Sequence, residues 1–141
     1  MNRQISRDRS LEELEHDRWP APSGEATRLV ATVHALRRKP LVALTVEDLR
    51  VLIRQDVCLG HVLPLALEVL RKHPMAEGDL YEGDLLSAVL TRRPEVWRAS
   101  PELVRDLCLI VSELADPPSP VRQEASRFLA LHVPDGSDFG A

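Results

Sequence analysis

Apolar residues recur at helical spacing along almost the whole chain, in runs that turn residues keep cutting short; 11 prolines are spread over 141 residues. No stretch alternates apolar and polar residues as a half-buried strand does, and no Asn-Gly pair marks a hairpin. The pattern predicts an all-α fold: a compact single domain of about eight short helices with Pro-rich turns, over residues 1–132, followed by a flexible tail at 133–141, "VPDGSDFGA". No heptad run is long enough for a coiled coil. Aromatics make up only 4% of the residues, so aliphatic side chains must fill the core.

Local signals place the elements. Ser10 and Glu13 form a capping box that opens a short helix, and "RWPAPSGEA" breaks it. From about Thr27, the stripe Leu29, Val30, Val33 and Leu36 predicts a second helix, closed by Arg37, Arg38 and Lys39 at its negative pole and by Pro40. Thr45 caps a third, with Val46, Leu49, Leu52 and Ile53 inward and Asp48 in the first turn. Residues 62–70, "VLPLALEVL", are apolar on almost every side and predict the central helix, with Pro64 in its first turn. "DLLSAVL" and "RPEVWRA" give two short helices. A longer one follows from Ser100 and Pro101, carrying Leu103, Leu107, Ile110, Val111 and Leu114 up to "ADPPSP", and a last one starts near Pro120 with Val121, Ala125, Phe128 and Leu129 inward.

Most catalytic and metal chemistries lack their residues. There is no G-x-S-x-G elbow, no P-loop and no G-x-G-x-x-G after a strand. Cys58 and His61 have helical spacing for zinc but no second pair, so they read as a thiol and a helix-start histidine. Cys58 and Cys108 sit among apolar neighbours, as reduced, buried thiols do. His16, His73 and His132 fall at helix ends, and His34 beside the stripe of the second helix. No catalytic residue, metal or cofactor is expected. The net charge of −4 argues against a nucleic-acid binder. No apolar run suits a membrane span and the opening residues lack the apolar region of a secretory signal, so a cytoplasmic protein is expected.

One stretch is left over. "MAEGDLYEGDLLSAVL" carries Glu77, Asp79, Glu82 and Asp84 with no Lys or Arg, and Tyr81 between two Glu-Gly-Asp copies. A calcium loop needs ligands at alternating positions, where this one has leucines. Turn chemistry accounts for part: Asp84 can cap "LLSAVL", Asp79 can close a turn, and the glycines supply positive φ. Glu77 and Glu82 have no such role, and Tyr81 can either tuck into the core or stand at a binding surface, where its ring gives area and its hydroxyl a hydrogen bond.

The strings "VHALRRKPLVALTVEDLRVLI", "VLPLALEVLRKHPMAEGDLYEGDLLSAVL" and "EVWRASPEL" resemble the all-helical group of immunity proteins from contact-dependent growth inhibition (CDI) systems, over about Leu11 to Leu103. The resemblance implies a cytoplasmic inhibitor without catalysis, binding one to one the C-terminal toxin domain of a CDI effector and covering its active site, with no nucleic-acid or membrane partner. Such toxins are often nucleases, whose basic sites attract carboxylates. Glu77, Asp79, Tyr81, Glu82 and Asp84 are the expected toxin-binding residues. Two other readings stand beside this one: a helical-repeat interaction scaffold, suggested by "SPVRQEASRFLALH", and a small metal-dependent hydrolase built on the acidic loop.

Overall fold

A computed structural model of the chain describes residues 7–20, Gly24 and residues 27–132; the expected tail and part of the "RWPAPSGEA" break lie outside them. Among the described residues there are eight α-helices, one 3-10 turn at Leu41–Ala43, and no strand. The helices are α1 (Leu11–Glu15), α2 (Arg28–Arg37), α3 (Val46–Arg54), α4 (Leu59–Lys72), α5 (Asp84–Leu90), α6 (Pro94–Trp97), α7 (Pro101–Ser112) and α8 (Ser119–His132).

The caps explain the boundaries. Ser10 Oγ accepts the Glu13 amide at 3.2 Å while Glu13 accepts the Ser10 amide at 2.9 Å, which closes the capping box of α1. Thr45 and Asp48 repeat that exchange at the start of α3, and Thr27 accepts the Val30 amide at the start of α2. Proline in the first turn of α6 and α7 needs no donor there.

Two features of the hydrophobic layout differ from the spacing. α4 begins at Leu59, so Pro64 lies inside the helix and not in its first turn. Cys58 adopts a left-handed conformation, φ 55°, and its carbonyl accepts the amides of both His61 and Val62, starting the helix before the apolar run does. The enclosed helix is α5, not α4: every residue from Asp84 to Leu90 is buried, because α3, α4 and α8 all pack on it. α4 lies to one side, against α3, α5 and α7, and its outer face carries Glu68, paired with Arg7 at 2.9 Å. α8 closes the bundle by laying Val121, Ala125 and Phe128 on that core, and so belongs to one continuous cluster.

Three smaller readings are also corrected. Leu29 and Val30 are each 43% exposed, since α2 packs on α1 and α3 only through its later turns. The thiols of Cys58 and Cys108 are free but half-buried. Burial, with Glu15 as an acceptor, pushes the Cys58 thiol up to about 11, which keeps it protonated at neutral pH. The basic run does not face solvent as one cap. Arg37 is buried, its guanidinium 4.0 Å over the Trp19 ring and donating to the Asp17 carbonyl and to Glu15. Lys39 pairs with Asp48 at 2.7 Å, and Arg38 with Glu12 at 3.4 Å.

Gly83 is the turn into α5. Its φ of +88° is strained for any L side chain, and an added Cβ would sit 2.6 Å from the Met75 methyl and 3.3 Å from Val121. Gly83→Ala is therefore expected to cost about 1–2 kcal/mol, mostly backbone strain, read as a lower urea midpoint at unchanged slope.

Candidate functional site: the acidic loop

The segment between α4 and α5 is closed at its base by the Gly83 amide donating to the Met75 carbonyl at 3.2 Å. Within it, four consecutive amides point at two carboxylates. Asp84 accepts from Gly78 at 2.6 Å, Leu80 at 2.9 Å and Tyr81 at 3.3 Å, and Glu47 of α3 accepts from Asp79 at 2.8 Å. Asp84 does not cap α5 with its side chain; it opens the helix and reaches back beneath the loop, 2% exposed. A buried carboxylate needs donors on its lone pairs, and these amides supply them.

Arg50, one turn along α3, is the cation of this arrangement. It donates two hydrogen bonds to Glu47 and lies 3.8 Å from Asp84. The fork geometry suits a planar carboxylate. Arg50, and then the Asp79 amide, hold Glu47 below the usual carboxylate range. Close approach is possible only because residue 78 is glycine: a Cβ there would lie 2.5 Å from Glu47 Oε1 and 3.2 Å from Asp84 Oδ2.

Glu77, Asp79, Leu80, Tyr81 and Glu82 are exposed on the outside of the loop. Among the described residues, none of the carboxylates of Glu77, Asp79 and Glu82 is in an ion pair. Leu80 is 61% and Tyr81 45% exposed, and the Tyr81 hydroxyl donates to the Ser87 hydroxyl of α5 at 3.1 Å. The structure thus separates the five expected residues into four at the surface and Asp84 below. Sequence reasoning missed three others: Glu47, Arg50 and Leu80. Leu80 carried a signal, an aliphatic residue between Asp79 and Tyr81 in an acidic loop; Glu47 and Arg50 carried none, because their places in α3 are ordinary for a helix start and a solvated face.

Because Arg50 holds Glu47 below its ordinary range in the folded protein, the stability this carboxylate contributes is present above that range and is lost as pH falls through the folded value. Asp48, held down by Lys39, and Glu68, held down by Arg7, act in the same direction. Melting temperature is expected to fall as pH drops below about 4.5. The fall should be smaller in Glu47→Gln, measured by calorimetry against the parent.

Among the described residues no group of three or more His, Cys, Asp or Glu side chains is placed to hold a metal ion, and no helix is long and apolar enough to cross a membrane. What the fold builds is an anionic loop with an aliphatic and an aromatic side chain outward and its backbone pinned from two helices, which is the form of a protein-binding module. Residues 13–107 match the family model for CDI immunity proteins, and the chain belongs to that family. It is an immunity protein: it binds and neutralises the toxin of a cognate CDI effector. The match runs from α1 into α7 and includes the whole acidic loop, while α8 lies beyond it. No curated protein matches the sequence.

Proposed function

We propose that this immunity protein neutralises a nuclease toxin by occluding its active site, one molecule to one, with the acidic loop as the contact. The observation that carries the proposal is the set of unpaired, exposed carboxylates, Glu77, Asp79 and Glu82, on a loop whose backbone is already committed to Asp84 and Glu47. A nuclease site must present Lys, Arg or His to hold phosphates, and carboxylates can take their place on those cations. Each charge-assisted bond is worth about 1.5–3 kcal/mol. Nanomolar affinity is about 12 kcal/mol, so the acids need help, and burial of Leu80 and Tyr81 supplies it. Charge speeds the encounter, while the two larger side chains slow dissociation. Asp84 enters as the support of this surface. The immunity protein works in the cytoplasm, without catalysis of its own, on a toxin that has entered the cell.

The test is reconstitution with the C-terminal domain of the effector encoded beside the immunity gene. That domain is expected to degrade RNA or DNA, and one equivalent of the immunity protein to abolish the degradation. A domain with another activity, or a complex that still cleaves, would defeat the nuclease or the occlusion reading respectively.

A further inference from the structure

Resting on the loop as the toxin contact, we infer that Asp84 is the positioning residue of that contact, and that Glu47 and Arg50 complete the clamp through which it acts. Three observations converge. The amides of Gly78, Asp79, Leu80 and Tyr81 are all bonded to carboxylates of α5 and α3, and none of these four amides is bonded to backbone. The outward side chains add little packing, since Leu80 and Tyr81 are exposed, and their one tie to the helices is the Tyr81 hydroxyl donating to Ser87 at 3.1 Å. The clamp itself is sheltered: the Asp84 side chain is 1% and the Arg50 side chain 13% exposed, so both sit below the surface a toxin would meet.

A loop held this way arrives at its partner already shaped. Unfastened, it would populate the binding shape for only a fraction of the time, and apparent affinity would fall by that fraction. Arg50 keeps the two clamp carboxylates close without adding charge to the surface, since it lies between Glu47 and Asp84. Glu77, Asp79 and Glu82 make the attraction; Asp84 makes their arrangement.

Two variants separate these roles. Asp84→Asn removes one of the two oxygens that accept amides. Gly78→Ala keeps every charge but drives a Cβ against Glu47 and Asp84, and remains informative if Asp84→Asn fails to fold. Against the adjacent effector's toxin domain, each is expected to bind about 10- to 100-fold more weakly, with the salt dependence of affinity unchanged in Gly78→Ala, which keeps every charge. Amide hydrogen exchange in the free variants is expected to be faster at 78–81 and unaltered in α3 and α5. The inference falls if both variants bind like the parent, or if these amides exchange freely in the parent. A third variant, Glu77→Gln, Asp79→Asn and Glu82→Gln together, tests the underlying reading. If it binds like the parent with the same salt dependence, the loop is not the contact and the inference falls with it. If it weakens binding while Asp84→Asn and Gly78→Ala do not, the loop assignment stands and only the clamp's role is overturned.

Discussion

Trp97→Ala is expected to lower the unfolding free energy by about 3–5 kcal/mol, the usual cost of emptying a buried aromatic site. Trp97 is 2% exposed and is the only buried residue of the four-residue helix α6. Its ring meets Phe128 edge-on at 5.5 Å and His132 at 6.3 Å, so it joins α6 to the end of α8. The loss is a sizeable part of the roughly 5–15 kcal/mol that holds a domain together. Urea unfolding followed by the fluorescence of Trp19, the other tryptophan, measures it. Trp97→Phe, which keeps one ring against Phe128, should recover most of the difference, while an equal loss in both variants would mean that the indole's second ring and not the seam matters.

The larger functional effect belongs to the surface acids. Replacing Glu77, Asp79 and Glu82 by their amides keeps the shape of the loop and removes its charge, since the clamp is made by Asp84 and Glu47. Toxin affinity is expected to fall at least about 100-fold, because each charge-assisted bond is worth about 1.5–3 kcal/mol and 1.4 kcal/mol is tenfold. Its decline with added salt should become shallower at the same time. Stability should hold or rise slightly, as three like charges crowded in one segment repel one another. Titration calorimetry at low and physiological salt, with melting curves alongside, measures all three quantities.

Much of the fold can be read from local chemistry. Ser10 with Glu13, Thr45 with Asp48, and Pro94 and Pro101 each mark a helix start by satisfying or omitting an amide in the first turn, and such signals need no knowledge of the rest of the chain. The same locality limits the reading. Cys58 starts α4 in a left-handed conformation that a non-glycine residue seldom adopts, so the helix begins where no sequence signal stands. Leu29 and Val30 have the right period for a buried face, yet period tells which residues share a face and not whether a neighbour covers it.

The candidate site divides in the same way. Its acids and its turn glycines lie within one short string and are visible there as a cluster. Its support is not: Glu47 is 32 positions from Asp79 in sequence, and Arg50 pairs in sequence with a glutamate one helical turn away, as many exposed arginines do. Only folding brings α3 beneath the loop and shows Asp84 buried there, accepting the amides of Gly78, Leu80 and Tyr81 while Glu47 accepts that of Asp79. Arg37 teaches a parallel point, since three adjacent cations read as a helix end but separate into a buried aromatic stack and two ion pairs.

On the proposed function, the toxin covers the outer face of the acidic loop. Carbodiimide labelling of carboxylates, read by mass spectrometry with and without the toxin domain, tests it directly. In the free protein Glu77, Asp79 and Glu82 should label readily and the buried Asp84 hardly at all. On binding, the three should become protected, while Asp116, on the connection between α7 and α8 with its side chain 92% exposed, keeps its rate. Unchanged labelling of Glu77, Asp79 and Glu82 in a complex that protects carboxylates elsewhere would contradict the account.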